Sequence, residues 1–205
     1  MLEVLTDPNG FFKRKSNEET EFKTPLAIIL IMAIVGAITA VVVVQQMMGA
    51  LPEEAATFAG IGAVVGAIFA VIGTFIMWGV YGAIFYVISM LFKGEGSFKR
   101  VMEFISYGFI PSIISSIVSA IYTSRAYSNI DFSNPELIQD ALLSDPTLRI
   151  AGIVGILFML WSANIWIFAL VHSRGLSVKN AAITVGVPVL LYIIYTIYQL
   201  KILGA

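Results

Sequence analysis

The chain has 205 residues, of which 59% are hydrophobic and 12% are charged, and its formal net charge is −1. Soluble domains carry about 25% charged residues, so this composition excludes a soluble globular domain. The sequence contains no cysteine, which excludes disulfides, thiol catalysis and cysteine-ligated metals. Because Lys and Arg are dispersed and nearly balanced by acids, we expect no nucleic-acid partner. The composition predicts an all-α protein embedded in a lipid bilayer.

The first segment, residues 1–24, combines aromatic side chains with a basic run. Such a pattern is typical of a short amphipathic helix at the membrane surface, with its cations near anionic lipid. We therefore predict an interfacial cytosolic segment that touches the membrane surface through Phe11, Phe12, Lys13, Arg14 and Lys15.

Five apolar segments are long enough to cross the bilayer, since a spanning helix needs about 20 apolar residues. They belong to one membrane domain, residues 25–205. Several begin at a capping residue followed by proline, such as Thr24-Pro25 and Asp145-Pro146. A further short helix, residues 135–143, is expected in the loop after the third span. The predicted spans cover residues of about 25–48, 52–92, 98–122, 146–171 and 178–203.

The second apolar segment is too long for one perpendicular crossing and too short for two. As an α-helix, residues 55–92 would extend about 57 Å, against about 30 Å of hydrocarbon. We predict one long helix that tilts or protrudes, with a possible bend at Gly73 or at Gly79 to Gly82.

The distribution of basic residues predicts an orientation with the amino terminus inside and the carboxyl terminus outside. With five spans, nine Lys and Arg fall on inner segments and three on outer segments. Four of the inner cations flank the third and fifth spans and predict a basic cytosolic face: Lys99, Arg100, Arg174 and Lys179.

Polar side chains at membrane depth are the candidates for function, because they are costly there. Glu103, one turn after Lys99 and Arg100, is expected either to form a local ion pair with one of them or to gate or bind something from the inner side. The third span carries a stripe of hydroxyls at three- and four-residue spacing, and Asn164 is an isolated amide in the fourth span. Such residues either pack helices closely or line a polar passage. The candidate polar face comprises Ser112, Ser115, Ser116, Ser119 and Asn164.

Enzyme motifs are absent from the sequence. Gly-x-Ser-x-Gly, His-Glu-x-x-His and the Walker A pattern do not occur. His172 is the single histidine and has no neighbouring carboxylate or thiol to share a metal ion. We therefore expect no enzyme, no cofactor and no metal site.

Three local patterns together resemble the Yip family of multi-pass membrane proteins, also called YIPF or Rab-GTPase-interacting proteins. They are Asp7-Pro8 with Phe11-Phe12, then Gly94-x-Gly96-Ser97-Phe98-Lys99-Arg100 with Tyr107-x-x-x-Pro111, and finally Trp161 with His172-Ser-x-x-Gly175-Leu176-Ser177 and Ala181.

The resemblance implies an all-helical membrane domain with its amino-terminal segment in the cytosol. Eukaryotic members of the family are associated with early secretory traffic and with prenylated Rab GTPases. Their Asp-Leu-Tyr-Gly-Pro element is absent here and the cytosolic segment is short, so Rab-type GTPase binding is not expected. The compact form resembles prokaryotic members, which implies a prokaryotic cell membrane.

Two functions follow as hypotheses. The first is a non-enzymatic protein that organises membrane or recruits a partner, either another membrane protein or a second copy, through its basic cytosolic face. The alternative is a small oligomeric transporter or channel, or a lipid-handling protein, with a polar path along the third span.

Overall fold

A computed structural model describes residues 2–48, 53–128, 130, 141–142 and 145–202. The helix expected at residues 135–143 lies almost entirely outside the described residues. Within them the chain is helical, with eight α-helices and one 3₁₀ turn. The α-helices are α1 (Glu3–Thr6), α2 (Pro8–Lys15), α3 (Lys23–Met48), α4 (Glu53–Met90), α5 (Phe98–Ser106), α6 (Ile110–Ser128), α7 (Pro146–Arg174) and α8 (Val178–Ile202), and the 3₁₀ turn is Tyr107–Phe109.

Five helical segments are long and apolar enough to cross a membrane, as predicted. They are α3, α4, the combined α5–α6 segment, α7 and α8. Helix α4 runs without interruption for 38 residues, so the long second segment is a single helix. Many of its large side chains are exposed, for example Phe58, Ile72 and Val87, whereas Trp78 and Phe85 are buried. Such a surface suits lipid rather than water.

Capping side chains explain where several helices begin. Asp7 accepts a hydrogen bond from the Gly10 amide at the start of α2, and Asp145 accepts one from Thr147 at the start of α7. At α3 the cap differs from the expected Thr24-Pro25 start, because the helix begins at Lys23, two residues before Pro25. The Glu21 carboxylate accepts from both the amide and the hydroxyl of Thr24, 2.9 Å each.

The third span is interrupted near its inner end. A 3₁₀ turn, Tyr107–Phe109, joins α5 to α6 just before Pro111. Proline lacks the amide hydrogen and clashes with the preceding turn, so a local change of helix type is expected there. The segment then continues to Ser128 rather than ending near residue 122.

The core lies in the half of the bundle that holds α5 and the amino-terminal helices. Helix α3 packs on α4 and α6, α7 packs on α6 and α8, and α5 lies between α4 and α7. Every residue from Val101 to Phe109 is buried. The short helices α1 and α2 pack against each other, and α2 also packs on α7. The amino-terminal segment therefore packs on the spanning helices through α2, and an interfacial position for the rest of the segment stays a prediction.

Candidate functional site

The amino-terminal helix α2 is anchored by aromatic contacts. The Phe12 ring is fully buried, with its centroid 4.9 Å from that of Phe104 and 6.0 Å from that of Tyr107. Phe11 packs edge-on against Tyr107 at 5.0 Å and is partly buried. The predicted contact with the membrane surface is therefore wrong for Phe12, because its ring is used inside the protein.

A buried ionic cluster holds the end of α2 to α5. Glu103 is fully buried; its Oε2 accepts from Arg100 Nη1 at 3.0 Å, and its Oε1 lies 3.2 Å from Lys15 Nζ. The second contact is ionic rather than a well-aligned hydrogen bond, since Oε1 has no hydrogen-bond donor among the described residues. The expected pair between Arg100 and Glu103 is confirmed.

Lys15, expected at the membrane surface, is instead 8% exposed, so that prediction is wrong for it. Burial by itself lowers the pKa of Lys15, but the nearby Tyr107, Glu103 and Glu18 raise it, and the net pKa lies above the ordinary value of 10.5. The ammonium group therefore remains charged at neutral pH and joins the amino-terminal segment to the bundle.

The other two basic residues of α2 are exposed. Arg14 pairs with Glu3 of α1, and Lys13 points outward. Membrane-surface contact stays a prediction for Lys13 and Arg14. On the same segment, Asn9 Oδ1 lies 2.8 Å from His172 Nε2, so the single histidine contacts the amino-terminal segment.

Arg174 organises the turn between α4 and α5. Its guanidinium group donates to Ser89 Oγ at 2.9 Å and to the carbonyls of Gly94 and Gly96, and lies 4.3 Å from the centroid of the Tyr86 ring. Arg174 is 3% exposed. It does not belong to an exposed basic face, and the prediction is wrong there, because the guanidinium is used to satisfy buried carbonyls.

Glycine is required at position 96, whose carbonyl accepts a hydrogen bond from Arg174. Gly96 has φ of +105°, and a Cβ there would clash with the Ser173 carbonyl. The Gly-x-Gly pattern is thus explained by the turn that Arg174 holds.

The remaining predicted members of the basic face differ in exposure. Lys99 and Lys179 are exposed, whereas the Arg100 side chain is 18% exposed and bonds to Glu103 and to the Glu18 carbonyl. A role for Lys99 and Lys179 in contacting a partner stays a prediction.

A cleft of about 510 Å³ lies at membrane depth among all five spanning helices. Its α6 wall carries four hydroxyls predicted as a polar face. Residues from the other four helices complete the lining, for example Met32 of α3 and Gly155 of α7. The hydroxyl residues are Ser112, Ser115, Ser116 and Ser119.

Three aromatic rings form the end of this cleft that lies towards α5. Trp166 stacks on Tyr81 with 5.2 Å between centroids and meets Phe109 edge-on at 5.3 Å, and Tyr81 and Phe109 are 5.6 Å apart. The Trp166 indole is locked, since its Nε1 donates to the Ile105 carbonyl at 2.8 Å. We call Tyr81, Phe109 and Trp166 the aromatic floor.

Gly108 is needed for that floor. A Cβ at this position would fall on the Trp166 indole ring, at Nε1 and Cδ1. Gly108 belongs to the small-residue stripe of the third span, and here its role is close packing.

The cleft hydroxyls divide into paired and unpaired groups. Ser112 Oγ lies 3.2 Å from Ser162 Oγ, and Ser116 Oγ donates to the Ser112 carbonyl at 2.9 Å. Ser115 and Ser119 are half-buried, and neither forms a hydrogen bond with any other residue that the structure describes. On this face of α6, Ser112 therefore contributes to helix packing, whereas Ser115 and Ser119 only line the cavity.

Asn164 does not join this site. It lies exposed on α7, is not among the residues that line the cleft, and receives no hydrogen bond from the described part of the chain. Its inclusion in the polar face is wrong, because its position on the helix turns its side chain away from α6. Ser162, two residues earlier, is the α7 residue that meets the polar face.

The chemistry available in the cleft is that of a weakly polar binding site. Its walls supply hydroxyls, aromatic rings and methionines, with no charged side chain among the lining residues. Within the described residues, no three His, Asp or Glu side chains are grouped as a metal ion would require. The aromatic floor was not predicted from the sequence, because its three rings are far apart along the chain and come together only in the folded bundle.

Comparisons with known proteins identify the family of the chain. The Yip1 domain family model matches residues 2–199. A curated relative, the uncharacterized protein MJ0794 of Methanocaldococcus jannaschii, is 34% identical over 119 residues, which cover 58% of this chain and 84% of the relative. No solved structure matches the chain significantly. With five apolar spanning helices and a family match over nearly its whole length, the chain is a multi-pass membrane protein that belongs to the Yip1 domain family.

Proposed function

We propose that this protein is a non-enzymatic lipid-handling protein that holds an apolar or weakly polar bilayer ligand in its cleft. The observation that carries the proposal is the cavity of about 510 Å³, lined by hydroxyls on one wall and apolar side chains elsewhere. Cavities of about 300–1,000 Å³ with mostly apolar walls and a few polar groups are typical ligand sites. This favours the lipid-handling alternative over membrane organisation through a basic face.

The cleft suits a binding site better than a channel. A continuous polar path would have to pass the aromatic floor, whose three rings are in mutual contact and whose Trp166 is hydrogen-bonded in place. At the rim, Met77 and Tyr192 are 48% and 42% exposed, so ligand has access from the lipid side between α4 and α8. A cleft with one closed end admits and releases its ligand through the same opening.

The absence of catalysis is part of the proposal. General acid–base catalysis most often uses His, Asp, Glu or Lys, and none of these lines the cleft, where the only titratable side chains are Tyr81 and Tyr192. The buried Glu103 is engaged by two cations outside the cleft and therefore serves structure.

A cavity-filling variant tests the proposal. Gly155 lines the cleft, and a Cβ there meets no atom within 4 Å, so Gly155→Leu fills the cavity without a clash at its first added carbon. Gly186→Leu is the matched control, since Gly186 has equal space and does not line the cleft. Each protein is placed in lipid nanodiscs with a diazirine-bearing alkyl probe, irradiated and mapped by mass spectrometry.

The wild type and Gly186→Leu should be labelled at residues of the α6 wall, and Gly155→Leu should lose that labelling. Equal labelling of all three proteins, or labelling confined to the outer lipid-facing surface, would refute ligand binding in the cleft.

Partner recruitment remains a second candidate, supported by the exposed Lys99 and Lys179 at the inner ends of α5 and α8. If it operates, reversing both charges to Glu should abolish copurification of a specific membrane partner while labelling of the cleft is unchanged. The archaeal relative supports placing the protein in a prokaryotic cell membrane, which membrane fractionation of the source cell tests.

A further inference from the structure

We propose that the ligand of the cleft is an uncharged single-chain amphiphile whose hydroxyl or carbonyl end is bound by Ser115 and Ser119. This inference rests on the proposed function and names the class of molecule that the cleft selects. It follows from three features of the lining: its lack of charge, its unused hydroxyls and the shape of its apolar part.

The first feature excludes ionised ligands. The lining contains no Arg, Lys or His to neutralise a carboxylate or phosphate, and no Asp or Glu to neutralise an ammonium group. Transferring an unpaired ion from water into such surroundings is far more costly than transferring a hydroxyl. Fatty-acid carboxylates and phospholipid head groups are therefore disfavoured in the cleft.

The second feature excludes pure hydrocarbon as the preferred ligand. Ser115 and Ser119 are one helical turn apart on one face of α6, about 6 Å along the axis. Neither hydroxyl forms a hydrogen bond with any other residue that the structure describes, whereas Ser112 and Ser116 are paired. A ligand without a polar atom would cover both hydroxyls and leave them without a hydrogen bond. Each hydroxyl buried without a hydrogen bond costs free energy.

The third feature is the accommodation of a chain. Met32, Met77 and Met159 line the apolar part, and unbranched thioether side chains adapt to a flexible chain. The aromatic floor closes one end and the rim at Met77 and Tyr192 is exposed, so one chain can extend from the serines towards the lipid. A cavity of about 510 Å³ is too small for a two-chain phospholipid with its head group.

The test is a competition in nanodiscs against the diazirine-bearing alkyl probe, with three compounds of equal chain length. Hexadecanol carries a hydroxyl, hexadecane carries no polar atom, and hexadecyl phosphate carries a charge. Because one neutral hydrogen bond changes affinity about fivefold, hexadecanol should displace the probe at a concentration at least about fivefold lower than either other compound.

The variant Ser115→Ala/Ser119→Ala removes the hydroxyls and leaves the cavity. It should retain probe labelling, and hexadecanol should lose its advantage over hexadecane. Ser128→Ala is the control, because that exposed hydroxyl at the end of α6 bonds only to its own helix and lies outside the cleft.

The outcomes separate the two proposals. Loss of labelling in Gly155→Leu with equal displacement by hexadecanol and hexadecane would leave the proposed function and overturn this inference. Preference for hexadecyl phosphate, or an unchanged hydroxyl preference in the double Ala variant, would also overturn it. If Gly155→Leu is still labelled at the α6 wall, the proposed function itself is wrong.

Discussion

The ionic cluster between the amino-terminal segment and α5 gives the most direct prediction. The change Glu103→Gln keeps the shape of the side chain and removes its charge. Lys15 and Arg100, whose side chains are only 10% and 18% exposed, then lack their shared counterion. Breaking a buried ion pair by removing one partner costs about 3–5 kcal/mol.

The lower end of that range applies here, because both cations keep other partners. Lys15 Nζ still lies 3.5 Å from Glu18, and Arg100 still donates to the Glu18 carbonyl. We therefore expect Glu103→Gln to lower the free energy of unfolding by about 3 kcal/mol. Adding Lys15→Met should recover part of the loss, since the second change removes one of the two unpaired charges.

The assay is equilibrium unfolding in mixed micelles with increasing sodium dodecyl sulfate, followed by circular dichroism. Glu3→Gln is the control, because its pair with Arg14 is exposed and should contribute less than about 1 kcal/mol. A Glu103→Gln protein within about 1 kcal/mol of wild type, or a double variant that recovers nothing, would contradict this account of the cluster.

The same cluster predicts a response to alkaline pH. Because the pKa of Lys15 is raised in the folded state, its contribution is fully present below the ordinary value of 10.5 and is lost as pH rises through the higher folded value. Wild type should therefore lose stability above about pH 10.5 more steeply than Lys15→Met. Parallel pH curves for the two proteins would show that Lys15 contributes nothing by its charge.

Three further predictions concern single contacts. Gly108→Ala should lower the free energy of unfolding by about 2–4 kcal/mol and change the fluorescence of Trp166, because the added methyl group displaces the Trp166 indole and breaks its hydrogen bond. Gly155→Ala is the control, since its added methyl group meets open space, and its free energy of unfolding should stay within about 1 kcal/mol of wild type in the same assay. Arg174→Lys should lower the free energy of unfolding by about 2 kcal/mol and speed proteolysis of the turn after α4, since a lysine lacks the planar guanidinium that reaches all three acceptors. Lys179→Arg is the control and should change neither the free energy of unfolding nor the rate of proteolysis. The pKa of Glu21 is lowered by the hydrogen bonds that its carboxylate accepts from the amide and hydroxyl of Thr24. The cap is therefore present above the ordinary value of 4.5 and is lost as pH falls through the lower folded value. Hydrogen exchange in the first turn of α3 should rise on acidification, and Glu21→Gln should remove that pH dependence.

Much of the fold could be predicted from the sequence because the relevant signals are local. Apolar length determines which segments span, and capping side chains such as Asp7 and Asp145 determine where helices begin. The interruption before Pro111 lies where proline disfavours a regular α-helix, whereas Pro188 lies within the continuous helix α8. The orientation of the bundle in the membrane stays a prediction from the charge distribution.

The half of the bundle around α5 could not be predicted in the same way. A basic amphipathic run predicts surface contact, and burial of Phe12 and Lys15 depends on partners about 90 residues away in α5. Arg174 was expected on a basic face, because nothing in its local sequence shows that backbone carbonyls of another turn need it. The hydroxyl stripe lies on the wall of the cleft, which is one of the two roles expected for it. Asn164 lies outside the cleft, because depth in the membrane alone does not determine which face of a helix a residue occupies.

The position of α2 has a consequence for the order in which the protein assembles. Phe12 and Lys15 leave the ribosome early, but Phe104 and Glu103 follow about 90 residues later, and His172, the contact of Asn9, later still. Since synthesis proceeds from the amino terminus onward, these contacts of α2 cannot form until α5 and α7 have been made. The position of α2 is therefore fixed only after most of the spanning helices exist.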